Sequence, residues 1–378
     1  MRITLSLFNS LVFHNYRPEH DLFNFLTLFC KTMRYYQNVS DLGDLQAAVK
    51  EALEVKANRY GYQHLGKNKT CLLIFFNNSL RTRLSTQKAA QNLGMNTIVL
   101  DVNAGAWKLE TQRGVVMDGD KAEHLLEAIP VMASYADIIG VRSFAKFESK
   151  KDDYEEMILS QFIKYSGKPV FSMECATGHP LQALADVITI EEHKEKARPK
   201  VVMTWAPHPG RLPQAVPNSF AQFAVAAGYE VVVTHPHGYE LDPRFTEGAT
   251  IEYDQMKAFE GADFVYAKNW SAFQDPFYGH NLEKDAIAGG LKGPKGFPAI
   301  ELPGLGLYEE DWRSWTVGER QMAVTNDAHF MHCLPVRRNM IVTDDVIEGP
   351  RSLVIPEAAN REISAETVIK RILESECC

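Results

Sequence analysis

The stretch CLLIFFNNSLRTRLST (71–86) joins an apolar run, a short polar turn and the start of a helical pattern. The run CLLIFF (71–76) predicts a buried strand, and the residues after it predict a helix that begins near Ser79. Strand, turn and helix in this order are typical of α/β proteins with a parallel sheet. Two cations, Arg81 and Arg83, therefore stand at a helix N-terminus, where the helix dipole disfavours positive charge. This local conflict predicts an anionic partner.

A phosphoryl group would resolve the conflict. Backbone N–H groups at a helix N-terminus converge on anions, and Ser79 can cap the helix or bind the anion directly. The alternative is a solvated basic turn, but here a serine, a threonine and two arginines crowd five positions after a buried strand. Neither a P-loop motif nor a glycine-rich dinucleotide motif is present, so nucleotides are not the leading candidates.

Length and composition limit the class of protein. The chain has 378 residues, 45% hydrophobic and 23% charged, which predicts a globular protein of two or three domains. Its net charge of -8 argues against general nucleic-acid binding. The six cysteines include no C-x-x-C pair, so reduced thiols in a cytoplasmic protein are expected.

No membrane span is expected, because no run of about 20 apolar residues occurs. Residues 1–32 lack the compact regions of a signal peptide. They predict a poorly ordered N-terminal extension, with a docking segment as the alternative.

Strands alternate with amphipathic helices along the rest of the chain. The predicted strands are 71–76, 96–101, 137–141, 169–173, 200–204, 230–234, 263–267 and 353–355. The predicted helices are 122–135, 180–196, 217–227 and 362–374. This alternation predicts an α/β fold with two doubly wound parallel-sheet domains.

The domain boundary is expected near 190, because the strand at 200 follows the charged stretch EEHKEKARP (191–199). The predicted domains are 33–190 and 191–361, with the helix 362–374 packed back on the first. Residues 274–314 are rich in glycine and proline and predict a surface insertion.

Polar side chains follow two more predicted strands. Arg142 follows DIIGV, and Glu174 follows KPVFSM and precedes ATGHPLQ with His179 and Gln182. Ligands bind at the carboxyl ends of parallel strands, so these residues are candidates for the same site as Arg81. For each one alone, a structural hydrogen bond is an equally good interpretation.

Four ordered motifs carry a resemblance to a known family. They are S-x-R-T-R (79–83), G-V-R (140–142), H-P-x-Q (179–182) and H-C-L-P (332–335). In this order they resemble the aspartate/ornithine carbamoyltransferases, which use carbamoyl phosphate. The resemblance runs from about Met33 to the C-terminus, apart from the insertion, and implies the fold of that family.

The resemblance assigns roles in carbamoyl phosphate binding. The residues assigned are Ser79, Leu80, Arg81, Thr82, Arg83, Trp107, Arg142, His179, Gln182 and Arg361. Thr82, Arg142 and His179 would polarise the carbamoyl oxygen, and Gln182 would bind the carbamoyl NH₂. Trp107, in GAWKLE (105–110), would close over the site of a neighbouring subunit in a homotrimer.

The second substrate is indicated by YAKNWSAF (266–273). Lys268 stands where ornithine-specific members have an aspartate for the α-ammonium group, so the α-nitrogen is expected to be acylated. This segment and MTWAPHP (203–209) resemble the acylornithine branch of the family, whose second domain is knotted. The residues assigned to the acylated ornithine are Glu174, His208, Lys268 and Arg337. The backbone carbonyls of Cys333 and Leu334 would orient its δ-amine.

The acyl group is predicted from Ala122 in DGDKAEHLL (118–126). Acetyl-specific relatives carry glutamate at this position, which would repel a succinyl carboxylate, and succinyl-specific relatives carry proline. Alanine is small and neutral, so N-succinyl-L-ornithine is the expected substrate, with N-acetylornithine as the alternative. The expected product is N-succinyl-L-citrulline, in arginine biosynthesis.

Two other classes of function stay open on the sequence. A non-catalytic anion-binding paralogue is disfavoured because residues for both substrates are largely present, and an oxidoreductase is disfavoured by the missing dinucleotide motif. HFMHC (329–333) suggests a metal site, but His332 would face away from His329 and Cys333 on a strand. We therefore expect no metal and no cofactor.

Overall fold

Two parallel sheets organise the chain, and a computed structural model describes them through residues 33–102, 104–208, 210–273, 278–279 and 314–376. The N-terminal extension 1–32 and almost all of the insertion 274–314 lie outside the described residues.

The first sheet has five strands in the order β1-β7-β6-β2-β3. The strands of this half are β1 Tyr35–Tyr36, β2 Thr70–Phe75, β3 Asn96–Asp101, β4 Leu109–Glu110, β5 Glu123–His124, β6 Ile138–Arg142 and β7 Val170–Glu174. The helices are α1 Leu45–Ala57, α2 Arg81–Asn92, α3 Leu125–Ser134, α4 Lys150–Tyr154, α5 Met157–Tyr165 and α6 Pro180–His193, with a 3₁₀ turn at Val39–Leu42. β4 and β5 form a separate short pair. The central strands β2 and β6 are mainly apolar, and all their residues except Thr70 are buried, because helices cover both faces.

The second sheet also has five parallel strands, in the order β10-β9-β8-β11-β12. Its strands are β8 Lys200–Trp205, β9 Glu230–Thr234, β10 Thr250–Glu252, β11 Phe264–Lys268 and β12 His329–Met331. The helices of this half are α7 Ala215–Ala226, α8 Pro243–Thr246, α9 Gln255–Phe259, α10 Glu319–Met322, α11 Asp344–Glu348 and α12 Val354–Glu376. The predicted fold class, two α/β domains with parallel sheets, is confirmed.

One continuous core connects the two sheets. Leu184 and Ile188 of α6 belong to the same buried cluster as Phe171 of the first sheet and Met203 of the second. All residues from Pro180 to Ile190 are buried, because α6 is covered by both halves of the chain. The long helix α12 packs against α1, α2 and α6. The C-terminal helix therefore crosses from the second sheet back to the first.

Two predicted elements differ in type or in their start from the structure, and the helix predicted over 362–374 is part of the longer α12. The predicted strand 353–355 is wrong, because Val354 begins α12, which accommodates Pro356 in its first turn. The helix predicted over 122–135 begins only at Leu125, because Glu123 and His124 pair with β4 and the His124 ring caps the helix. In both places a short apolar or mixed pattern could not distinguish a strand from a helix end.

Candidate active site

A cavity of about 280 Å³ lies where the carboxyl ends of strands from both sheets meet. It is lined by Asn78, Ser79, Arg81, Thr82, Arg142, Phe144, Glu174, His179, Gln182, His208, Leu212, Pro213, Val216, Lys268, Cys333, Leu334, Pro335 and Arg361. β2, β6 and β7 supply its first-domain side, and β8, β11 and β12 lead into its second-domain side. The structure thus brings together most of the residues that the sequence assigned to two substrates.

Two arginines donate hydrogen bonds to the Thr82 hydroxyl. Its Oγ1 accepts hydrogen bonds from Arg361 Nη2 at 2.8 Å and from Arg142 Nη1 at 3.1 Å. Its backbone N–H donates to Ser79 Oγ at 3.2 Å, which fixes the start of α2. A hydroxyl that accepts two hydrogen bonds keeps its own proton for a third partner. Thr82 can therefore donate into the cavity.

The cavity is strongly cationic in a chain of net charge -8. Arg81, Arg142, Arg361 and Lys268 line it, against the single carboxylate of Glu174. Burial lowers the pKa of Arg81 and of Arg361, because these cations are poorly solvated. The Nε atoms of all three arginines are buried without a partner among the described residues. This arrangement fits a small dianion.

His179 enters the cavity as a neutral ring. Burial, followed by the charges of Arg361 and Arg142, holds the pKa of His179 well below its ordinary value. Its Nε2 lies 3.3 Å from Glu174 Oε2, and the same oxygen accepts a hydrogen bond from Arg142. Its Nδ1 has no partner among the described residues. A neutral imidazole can donate one hydrogen bond without adding charge, which suits the stabilisation of an oxyanion.

Gln182 is held by charged groups on both sides of its amide. Its Oε1 accepts a hydrogen bond from Arg361 Nη1 at 2.6 Å. Its Nε2 donates to Asp186 Oδ1 at 2.6 Å and to Glu357 Oε1 at 3.1 Å. The amide therefore has a fixed orientation at the wall of the cavity.

The second-domain side combines Lys268 with a histidine and an arginine. Lys268 is the last residue of β11 and is buried. Arg337 Nε donates to His208 Nε2 at 3.1 Å, and His208 Nδ1 lies 2.9 Å from the Gly210 carbonyl oxygen. Burial lowers the pKa of His208, which agrees with a neutral ring. These groups can receive a carboxylate or a polar acyl group.

Leu334, three residues after the end of β12, adopts a strained backbone conformation. Its φ is 55°, a left-handed value that costs a branched residue roughly 1 to 3 kcal/mol. The conformation is held because Leu334 N donates to His332 Nδ1 at 2.8 Å. Among the described residues, neither the Cys333 nor the Leu334 carbonyl accepts a hydrogen bond. Both are available to an amine in the cavity.

Five assigned residues lie outside the cavity lining of this chain, and one of them, Arg337, is exposed and bonded to the lining residue His208. Leu80 is 70% exposed, and Arg83 lies over the Phe75 ring with its Nη2 3.2 Å from Asp101 Oδ2. Arg83 thus has its own carboxylate, and its role in phosphate binding is not supported by contact. Trp107 and Ala122 occupy one exposed surface region, in which the Ala122 N–H donates to the Lys108 carbonyl at 3.1 Å.

Sequence analysis missed several residues of the site. They are the lining residues Asn78, Phe144, Leu212, Pro213, Val216 and Pro335, and the buried acids Asp186 and Glu357. The acids had a usable signal in their spacing. Asp186 is four residues after Gln182, and Glu357 is four residues before Arg361, so each pair shares one helix face.

Two further searches bear on cofactors and membranes. Within the described ranges, no group of three or more His, Cys, Asp or Glu side chains is placed to hold a metal ion. No helix in the described part of the chain combines the length and the apolar character of a membrane span.

Curated sequences similar to this chain are carbamoyltransferases. The chain is 65% identical over 343 residues to N-succinylornithine carbamoyltransferase of Bacteroides fragilis (strain 638R), which covers 91% of this chain and 99% of the relative. It is 36% identical over 347 residues to N-acetylornithine carbamoyltransferase of Xanthomonas axonopodis pv. citri (strain 306), covering 87% of this chain and 94% of the relative.

Solved structures agree with these sequences. Acetylornithine transcarbamylase complexed with acetylcitrulline matches with a TM-score of 0.78 and 35% identity, over 89% of this chain and 98% of that chain. A glutamate-to-alanine mutant of N-acetyl-L-ornithine transcarbamylase, complexed with carbamyl phosphate and N-succinyl-L-norvaline, matches with a TM-score of 0.77 and 35% identity, over 89% and 99%.

Two family descriptions cover most of the chain. Residues 36–192 match "Aspartate/ornithine carbamoyltransferase, carbamoyl-P binding domain", and residues 210–372 match "Aspartate/ornithine carbamoyltransferase, Asp/Orn binding domain". The chain therefore belongs to the aspartate/ornithine carbamoyltransferase family.

Proposed function

We propose that this chain transfers the carbamoyl group of carbamoyl phosphate to the δ-amine of N-succinyl-L-ornithine, which gives N-succinyl-L-citrulline and phosphate. The observation that carries the proposal is the convergence of Thr82, Arg142 and Arg361 in a cationic cavity that also holds Lys268. The cavity has a cradle for an acyl phosphate on one side and a place for an amine with an acidic tail on the other.

Carbamoyl phosphate would lie with its phosphate at the start of α2. Ser79 and Arg81 line the cavity at that position, and burial of Arg81 makes an anionic partner favourable. The carbamoyl oxygen would accept from the Thr82 hydroxyl and from Arg142 or His179. Donors placed for the developing oxyanion lower the barrier because they need no reorganisation during the reaction.

The acceptor amine would approach from the second domain. The free carbonyls of Cys333 and Leu334 can hold the two N–H bonds of a neutral δ-amine, leaving its lone pair directed at the carbamoyl carbon. Attack gives a tetrahedral intermediate, and the C–O bond to phosphate then breaks. The departing phosphate takes the amine proton. Glu174, His208 and Arg337 would contact the acylated end of ornithine.

The acyl group is assigned from Ala122 and Lys268. Ala122 brings no carboxylate to its surface region, and positive charge for a second carboxylate comes from Lys268 in the cavity lining and from Arg337, which is bonded to the lining residue His208. The solved relative that carries alanine in place of a glutamate holds a succinyl compound. The 65% identity to an enzyme named for N-succinylornithine supports the same assignment.

We further propose a homotrimer in which Trp107 and Ala122 serve the site of a neighbouring subunit. Trp107 is 62% exposed and bonded to Glu123 at 2.8 Å, outside its own cavity lining. Leu80 and Leu84 are exposed one helical turn apart, beside an open groove that reaches Arg81. Exposed apolar side chains of this kind are typical of contact surfaces.

The test measures kcat/KM for N-succinylornithine, N-acetylornithine and ornithine, with product identified by mass. N-Succinylornithine should be the best substrate. Ala122→Glu should reduce its kcat/KM at least tenfold while Ala122→Gln, of nearly equal size and no charge, should reduce it less. Preference for N-acetylornithine would refute the acyl assignment, and no citrulline derivative from any of the three would favour a non-catalytic anion-binding protein.

A further inference from the structure

Two fully buried carboxyl groups lie next to the Gln182 side chain and bond to its amide. Asp186 is on α6, one turn after Gln182, and Glu357 is on α12, one turn before Arg361. Both have 0% of their surface exposed. Neither lines the cavity, so neither is placed to touch a substrate. Burying two acids is costly, and their contacts indicate what they are for.

The contacts of the two acids use both N–H bonds of the Gln182 amide. Gln182 Nε2 donates to Asp186 Oδ1 at 2.6 Å and to Glu357 Oε1 at 3.1 Å. Gln182 Oε1 accepts from Arg361 Nη1 at 2.6 Å. A carboxamide has two N–H donors and one oxygen with two lone pairs. The only hydrogen-bonding capacity left for a ligand is the second lone pair of Oε1.

The opposite orientation of the amide is excluded by the same neighbours. A rotation of 180° would place the amide oxygen against two carboxyl groups and the NH₂ against the Arg361 guanidinium. Arginine offers donors alone, so the bond that it makes with Gln182 would be lost. The amide is therefore fixed with its oxygen toward Arg361.

We propose that Asp186 and Glu357 act as a positioning pair that fixes the Gln182 oxygen toward the donor substrate, so that the site selects an acyl phosphate bearing NH₂ over one bearing CH₃. The inference rests on the proposed function, in which Gln182 binds the NH₂ of the carbamoyl group. An NH₂ group satisfies the free lone pair of Oε1, whereas a methyl group leaves it buried and unpaired. Carbamoyl phosphate and acetyl phosphate differ in this one group.

The charge state of the pair is consistent with this role. Burial raises the pKa of Asp186 to about 7, and burial together with the Asp186 charge raises the pKa of Glu357 well above its ordinary value. Both shifts disfavour ionisation of the two carboxyl groups together, because each charge would be buried close to the other. A singly ionised pair still accepts the two hydrogen bonds from Gln182 and is opposite in charge to Arg361.

Glu357 also supports the amine side of the cavity. Its Oε2 accepts from the His332 backbone N–H at 2.9 Å, and His332 Nδ1 accepts from Leu334 N at 2.8 Å. One carboxyl group is thereby connected to Gln182 and to the strained Leu334. Loss of Glu357 would disturb both substrates, so Asp186 is the cleaner residue to change.

The experiment compares two stable phosphonates that differ only in the group that would contact Gln182 Oε1. Phosphonoacetamide carries NH₂ and 2-oxopropylphosphonate carries CH₃ on the same carbonyl. In both, CH₂ replaces the oxygen that joins carbonyl carbon and phosphorus in the labile acyl phosphate. Their dissociation constants are measured by calorimetry at pH 7.5 on the full chain. The wild type should bind phosphonoacetamide at least tenfold more tightly.

The variants separate positioning from packing. Asp186→Leu has nearly the same shape but no acceptor for Gln182, and should lower the affinity ratio by about tenfold. Asp186→Asn can accept from Gln182 through its oxygen and donate to Glu357 through its NH₂, so it should keep the ratio within about threefold of wild type. If Asp186→Leu does not fold, Asp186→Ala takes its place with the same expected loss.

Two results would overturn the inference. One is a wild-type ratio near one, and the other is an unchanged ratio in the variant that lacks the acceptor. Because binding of the phosphonates needs no turnover, these results are independent of the assay for N-succinylcitrulline. An enzyme that forms this product but binds both phosphonates equally would retain the proposed function and lose the positioning pair.

Discussion

Replacement of Thr82 by valine removes one hydroxyl at the centre of the cavity and preserves the shape of the side chain. Thr82 is 1% exposed, and its Oγ1 accepts from Arg361 at 2.8 Å and from Arg142 at 3.1 Å. In the proposed mechanism its proton is donated to the carbamoyl oxygen. Thr82→Val therefore removes two acceptor contacts from the free enzyme and one donor contact from the transition state.

The two losses have separate magnitudes. Removing one donor from an oxyanion typically lowers kcat by about 10²- to 10³-fold. The two charge-assisted bonds from Arg142 and Arg361 contribute roughly 1.5 kcal/mol each, so the free energy of unfolding should fall by about 3 kcal/mol. The catalytic loss and the stability loss are measured by steady-state kinetics with carbamoyl phosphate and N-succinylornithine and by urea unfolding.

Two control variants test whether the loss comes from the Thr82 hydroxyl. Thr82→Ser keeps the hydroxyl and should retain kcat within about tenfold. Thr86→Val changes a threonine one turn along the same helix, which is also 1% exposed and whose Oγ1 has no partner among the described residues. It should leave kcat unchanged. A folded Thr82→Val enzyme with wild-type kcat/KM would refute the assigned donor role.

The remaining predictions concern the phosphate, the subunits and pH. Arg81→Gln should reduce kcat/KM for carbamoyl phosphate about tenfold or more, whereas Arg83→Gln should reduce it far less because Arg83 is paired with Asp101; equal losses would contradict the geometry. Chains carrying Trp107→Ala and His179→Ala, each nearly inactive, should regain activity when co-assembled, and mixed oligomers of proven composition without activity would refute the shared site. Since the pKa of folded His179 lies below that of free histidine, the unfolded state binds the extra proton. The contribution of His179 to the free energy of unfolding should therefore fall by about 1.4 kcal/mol per pH unit as pH decreases below about 6.5, and His179→Gln should lessen the measured slope in urea unfolding.

The sequence predicted the central strands well because a strand buried on both faces is a continuous apolar run. β3 and β9 have the predicted bounds, and β2 differs by one residue at each end. The error at 353–355 has the same physical origin. LVI is apolar and β-branched in part, but it begins a helix because α12 packs across the first domain, a contact that no local pattern contains.

The candidate site was predictable where it depends on strand ends. Arg142, Glu174 and Lys268 end β6, β7 and β11, and parallel strands bring such residues to the carboxyl edge of each sheet, where ligands bind. The contact of Gln182 with Glu357 joins positions 175 residues apart and depends on how α12 packs against α6. In the proposed homotrimer the role of Trp107 depends on a neighbouring chain, which the sequence pattern cannot position.

Three features that are unfavourable for a folded chain lie around the cavity. Arg81 places a cation at a helix N-terminus, Leu334 holds a branched side chain at positive φ, and Asp186 with Glu357 buries two acids in contact. Each is unfavourable by itself, and a folded chain gains nothing by collecting them in one place. Binding of an anion with a carbonyl and an NH₂ group would relieve the first and make use of the other two. Exceptions of separate physical origin that converge on one cavity therefore indicate a site shaped by its ligands, since local rules are expected to fail where function opposes stability.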